Sequence, residues 1–100
     1  MALIPDTHTL FVIDLHYVVP LDEIEPHIDD HMAFLEAQYA AGHFLASGRK
    51  EPRTGGVILA TSDDRGTVED LVTLDPFHQH GLAEYRITEF HPSMTAPGLK

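Results

Sequence analysis

The sequence predicts one small α+β domain whose elements run strand, helix, strand, strand, helix, strand. Three observations lead there. The chain has 100 residues, enough for one hydrophobic core and too few for two domains. Its apolar residues recur at every second position in four runs and at every third or fourth in two, the periods of strand and helix. Glycine, proline and aspartate fall between those runs, with no internal repeat and no low-complexity linker.

The first strand is read over Leu10 to Val19, where Phe11, Ile13, Leu15 and Tyr17 make one apolar face. The other face begins with Leu10 and Val12 and continues with Asp14 and His16, so it is half covered and half lines a polar space. From Leu21 to Gly42 the period becomes helical, with Ile24, Ile28, Met32, Leu35 and Tyr39 as the apolar stripe. Pro26 fits only a first turn, because further in it deletes a backbone donor and clashes with the preceding turn. The spacing therefore allows either a short turn at Asp22 to Glu25 or a helix beginning near Glu25, and Gly42 supplies the stop.

His43 to Arg49 and Gly55 to Thr61 read as a hairpin joined by the loop Lys50 to Thr54. A short helix follows over Thr67 to Leu74, with Val68, Leu71 and Val72 inward and Thr67 with Asp70 resembling a capping box. Asp75-Pro76 breaks it, Phe77 to His80 make another helical turn, and Leu82 to His91 alternate as the last strand. Met1 to Thr7 and Ser93 to Lys100 have no period and are expected to fray, leaving a core over about residues 8–92.

This order is the split ferredoxin-like βαββαβ pattern, a four-stranded antiparallel sheet with both helices on one face. The uncovered face is then a cleft or a contact, and two copies packed sheet to sheet would enclose a small barrel-like cavity. A homodimer is expected on this ground, with a higher homo-oligomer left open.

Composition excludes several classes of function. Sixteen Asp and Glu against six Lys and Arg give a formal net charge of −10 with the eight histidines neutral. That field repels a phosphate backbone, and no basic stripe with interleaved aromatics offsets it, so nucleic acid is not a partner. Arg49, Lys50 and Arg53 do cluster, as a local anion site or as a solvated loop balancing nearby carboxylates. The absence of cysteine removes disulfides, thiolate nucleophiles and Cys-ligated metals. No apolar run approaches the ~18 residues of a membrane span and no leader pattern precedes the first strand, which makes a cytoplasmic location the expectation and a membrane no partner.

Four segments carry a family resemblance: H-M-A-F-L at His31 to Leu35, G-H-F-L-A-S-G at Gly42 to Gly48, the pair Gly55-Gly56 opening the third strand, and L-D-P-F with Gly81 before the last strand. Together they resemble the YciI-like (YCII-related) family, a branch of the dimeric α/β-barrel proteins that also includes muconolactone isomerase-like enzymes. The resemblance covers most of the chain. It implies a ferredoxin-like dimer with a site centred on a histidine and an aspartate, which map onto His31 and Asp75. Ser47 and Gly48 stand where the family often has a small residue and a glycine facing the same pocket. Arg49 follows where relatives often carry proline or another residue. The family has no uniform assigned reaction.

The residues themselves point the same way, with alternatives. His31 lies three residues after Ile28 and four before Leu35, and an imidazole on that side must be hydrogen-bonded or face a cavity, since an unsatisfied buried polar group costs roughly 1 to 3 kcal/mol. A hydrogen-bonded core histidine and a catalytic one both satisfy that condition. Asp75 before Pro76 is by itself a turn or cap residue. In contact with His31 it would fix the tautomer and raise the basicity of the imidazole, an arrangement suited to proton abstraction beside a carbonyl, isomerisation, or elimination such as loss of a halide from an activated ring. Hydrolysis is less suited, because Ser47 lacks a nucleophile frame. Ser47, Gly48 and Arg49 are instead candidates to bind a substrate oxyanion, and His16 to line the cavity.

A competing set, His27 and His31 four apart with His78 and His80 near Asp75, has some of the spacing of a divalent metal site. Tyr85 and Arg86 are ambiguous, one facing the helices and the other the open sheet. Two functions therefore stand side by side: a small cofactor-independent lyase or isomerase acting on a small organic acid or aromatic substrate, and a dimeric domain that binds a small ligand without turnover.

Overall fold

A computed structural model describes residues 2–100; Met1 lies outside them. Strand β1 (Thr9–Tyr17) is central. It pairs antiparallel with β3 (Gly55–Ser62) on one side and β4 (Ala83–Phe90) on the other, and β2 (Phe44–Arg49) pairs with β3 to give the order β2-β3-β1-β4. Helices cover one face of this antiparallel sheet, as the sequence predicts.

The alternation read in β1 is realised. Phe11, Ile13 and Leu15 are buried, and the register sets Ile13 between Ile58 and Ile87 and Leu15 between Gly56 and Tyr85. Ile24, Phe34, Leu35, Val68, Val72 and Phe77 close over them. Each such side chain contributes roughly 1.5 to 3 kcal/mol by leaving water.

Between β1 and β2 the chain forms a short helix α1 (Leu21–Ile24), a 3-10 turn at Glu25–His27 that holds Pro26, and the main helix α2 (Ile28–Ala40). Proline thus sits in a tight first turn, where no donor is needed. At the other end the His43 N–H donates to the Gln38 carbonyl at 3.0 Å and the Gly42 N–H to that of Tyr39 at 3.1 Å, with Gly42 at φ +82°. These are the two bonds of a Schellman stop, and the left-handed residue they need is the glycine.

The stripe on α2 differs from the expected one. Leu35 is buried and Ile28 partly so, whereas Met32 is 48% and Tyr39 39% exposed, and Phe34 and Gln38 are buried instead. The physical reason is a cavity between α2 and the sheet, which takes the cover away from Met32 and turns the packed face toward Phe34. Gln38 is accommodated because its Oε1 accepts from His43 Nδ1 at 2.9 Å.

Helix α3 (Arg65–Val72) also starts earlier than the sequence suggests. Its cap is Asp64, whose carboxylate accepts from the Gly66 N–H and from the Thr67 hydroxyl, each at 3.2 Å. Thr67 is a donor to the cap rather than the cap, since an ionised carboxylate is the stronger acceptor for the free N–H groups of a first turn. After α4 (Pro76–Gln79) the chain turns through Gly81, at φ +65°, into β4.

The terminal segments, expected to fray, meet each other. Ile4 is buried, and its N–H donates to the Leu99 carbonyl at 2.7 Å. Among the described residues no helix is long and apolar enough to cross a membrane.

Candidate active site

Asp75 is placed by its neighbours in sequence. A residue before proline avoids the helical region, and Asp75 is extended at φ −69°, ψ 125°, capping α4 with Pro76 at its start. The Asp75 Oδ1 accepts from the Phe77 N–H at 3.0 Å, which directs the carboxylate into the core, where it is fully buried. The same oxygen accepts from His31 Nδ1 at 2.7 Å, and Oδ2 accepts from the Tyr85 hydroxyl at 2.6 Å. A buried carboxylate is tolerable only when hydrogen-bonded, and here donors from α2, α4 and β4 converge on it.

Each donor is held by a different device. The imidazole of His31 lies flat on the Phe77 ring, with centroids 4.0 Å apart and planes 6° from parallel. Because a carboxylate accepts and does not donate, Nδ1 carries the hydrogen and the neutral ring keeps a lone pair on Nε2. The inward parity of β4 brings Tyr85 to the same carboxylate. Burial foremost, then the negative charge of Asp75 and the hydrogen bond to it, push the Tyr85 phenol far above its ordinary value of 10.0. Tyr85 is therefore a constant donor.

His31 forms part of the wall of a cavity of about 340 Å³ between α2 and the β2–β3 side of the sheet. Ile28, Met32, Leu35, Ile58 and Phe77 supply its apolar lining, and Tyr17, Ser47, Arg49 and Arg53 its polar one. The Ser47 hydroxyl lies 2.7 Å from that of Tyr39. Predominantly apolar walls with a few convergent polar groups, in a space of this size, are the usual make-up of a small-molecule site.

Of the residues singled out in the sequence, His31 and Asp75 touch, and Ser47, Gly48 and Arg49 line the cavity that His31 lines. His16 does not join them. It is exposed and borders a separate recess of about 270 Å³ with Val19, Leu21 and Arg53. Of the other histidines, His27 and His80 come together as a pair, with ring centroids 4.3 Å apart and planes tilted by 35°, while His78 meets Tyr85 edge-on at 5.3 Å. Among the described residues no group of three metal-ligating side chains is assembled.

Two members of the site were named in the sequence without being assigned to it. Tyr85 needed the β1–β4 register, which sets it beside Leu15 on the helix-facing side. Arg53 read as one of three clustered cations, forming either a local anion site or a solvated loop, and its signal was that clustering.

Residues 8–91 match the model of the YCII-related domain. The chain belongs to the YCII-related domain family. Among solved structures it is similar to 5-chloro-2-hydroxyhydroquinone dehydrochlorinase (TftG) from Burkholderia phenoliruptrix AC1100, in complex with 2,5-dihydroxybenzoquinone, with a TM-score of 0.71, 21% identity, and 81% of this chain and 92% of that chain covered. It is also similar to SnoaB, a cofactor-independent oxygenase from Streptomyces nogalater, with a TM-score of 0.53, 17% identity, and 90% and 97% covered. At these identities the likeness is one of fold. No curated protein matches the chain significantly.

Proposed function

We propose that this YCII-related protein is a small cofactor-independent enzyme that moves a proton on a small organic acid or aromatic substrate, as a lyase or isomerase. The observation that carries the reading is the 2.7 Å contact between His31 Nδ1 and a fully buried Asp75, on the wall of a cavity large enough for one ring. His31 is the general base. Its Nε2 takes a proton either from a carbon beside a carbonyl, the C–H electron pair passing through the new C=C bond onto the carbonyl oxygen as an enolate, or from an ionisable ring hydroxyl, whose O–H electron pair stays on that oxygen. The proton then returns at another carbon, giving an isomer, or a leaving group departs as the carbonyl re-forms, giving elimination. Asp75 holds the tautomer and stabilises the imidazolium formed in the step, while Ser47 and Arg49 bind the oxygen that gains charge.

The dehydrochlorinase similarity supports elimination as one form of this chemistry, and the oxygenase similarity supports a fold that works without a cofactor. A second copy is proposed to pack on the open sheet face, where Val57 and Phe90 are 38% and 41% exposed. The alternative, binding without turnover, uses the same cavity.

The test is proton exchange. Candidate carbon acids, among them hydroxylated quinones and 2-oxo acids, are incubated with the protein in deuterium oxide and followed by NMR. Exchange catalysed by the wild type is expected to fall at least roughly a hundredfold in His31→Ala and in Asp75→Asn, the usual contribution of a positioned base, with circular dichroism unchanged. Exchange that survives both substitutions rules the dyad out, and saturable binding with no exchange on any substrate favours the binding domain.

A further inference from the structure

The structure sorts the cations of this acidic chain by what they meet. Lys50 pairs with Asp14, and Arg65 reaches Glu69 and the Ile87 carbonyl. Arg49, Arg53, Arg86 and Lys100 enter no ion pair among the described residues, and of these four Arg49 and Arg53 line the 340 Å³ cavity. No carboxylate lines that cavity, since Asp75 is fully buried and engaged with His31, Phe77 and Tyr85. In a molecule of net charge −10, this is a local reversal of sign, with both guanidinium groups on the cavity and Arg53 also bordering the adjoining recess that holds His16.

Such a reversal acts on ligand choice. Two guanidinium groups in a concave, partly apolar space raise the local concentration of anions and oppose cations. Their planar forks match the paired oxygens of a carboxylate, and they bind an ionised hydroxyl as well. The wall they share is made of Ile28, Leu35, Ile58 and the flat Phe77–His31 pair, which suits a ring or another planar unsaturated skeleton. Arg49 projects from β2 on the side facing the helices, in register with Gly56, and Arg53 follows from the β2–β3 loop, so both cations come from one hairpin.

We infer that Arg49 and Arg53 form a two-arginine clamp that commits the cavity to planar organic anions, with carboxylate or ionised hydroxyl oxygens seated between the guanidinium groups. The clamp rests on the proposed function for its location beside His31, and it adds Arg53 as a specificity-determining residue. It requires only binding, so it stands or falls separately from the proton transfer.

Calorimetric titration of the full chain tests it. The probes are benzoate for the carboxylate, 2,5-dihydroxybenzoquinone for ionised hydroxyls, and neutral benzamide and cationic benzylamine as controls. At least one anion is expected to bind tenfold or more tightly than both controls, and to weaken as salt is added. Arg49→Gln and Arg53→Gln are each expected to weaken that anion about tenfold, the scale of one charge-assisted hydrogen bond, while Arg→Lys recovers part of the loss. Thermal melting establishes that each variant is folded. Anion binding by the wild type with no proton exchange on any candidate substrate refutes the proton-transfer reading and leaves the clamp in place. Benzamide binding as tightly as the anions, no anion binding at millimolar concentration, or unchanged anion affinity in both Gln variants overturns the clamp. A change of assembly state alone in the Gln variants also overturns it, because the arginines then serve a second copy.

Discussion

Three hydrogen bonds give Asp75 two duties, one toward the backbone of α4 and one toward His31 and Tyr85. Tyr85 carries only the second, which makes it the cleaner residue to change. Tyr85→Phe keeps the ring and removes a hydrogen bond to a charged acceptor, so a loss of about 2 kcal/mol in stability is expected from chemical denaturation. Its pH dependence has a definite sign. The phenol is harder to ionise in the folded protein than in the unfolded chain, where its ordinary value is 10.0. The stability it contributes is thus complete below about pH 10 and declines as pH rises beyond it. The wild type is expected to lose stability above pH 10 more steeply than Tyr85→Phe. Equal slopes in the two proteins would show that this phenol does not feel the buried carboxylate.

At the level of elements, β1 and β3 approach so closely at Gly55 that a Cβ there would lie 1.8 Å from the Leu15 carbonyl oxygen, whereas a Cβ at Gly48 would meet nothing within 4 Å. Gly55→Ala is therefore expected to cost about 3 kcal/mol or more, because backbone has to shift, and Gly48→Ala at most about 0.5 kcal/mol. Thermal melts of the two variants make the comparison, and similar melting temperatures would refute the close approach. The Gly55-Gly56 pair was visible in sequence as an opening signal for its strand, but the clash behind it was not. The same division runs through the fold. Period-two alternation in β1 exposed the core face directly, and the proline and glycine limits of the long helical region held, because those effects act within a few residues. The rotation of α2 toward Phe34 and Gln38 was hidden, since it follows from a cavity made by distant strands. His31 stood out as a polar residue on an apolar stripe, yet its pairing with Asp75, 44 residues away, was accessible only through the family resemblance. Tyr85 and Arg53 depended on register and loop placement, which no local pattern encodes.

For the whole molecule, the layering leaves one side of the sheet without helices, and Val57 and Phe90 lie on it. If a second copy packs there, as proposed, sedimentation is expected to give twice the chain mass at micromolar concentration. Val57→Glu together with Phe90→Glu should shift the protein to the monomer by burying unpaired charge at the contact. A monomeric wild type would leave the cavity bounded by one chain alone. The sandwich of imidazole on phenyl has a consequence of a different kind. An aromatic ring shields nuclei held above its face, so the carbon-bound protons of His31, lying flat 4.0 Å over Phe77, resonate upfield of an unstacked imidazole. Of the eight histidines, His31 is the one stacked parallel on a phenyl ring among the described residues, so that displacement helps to mark the proposed base in the spectrum of the unmodified protein and is sensitive to any ring that enters beside it.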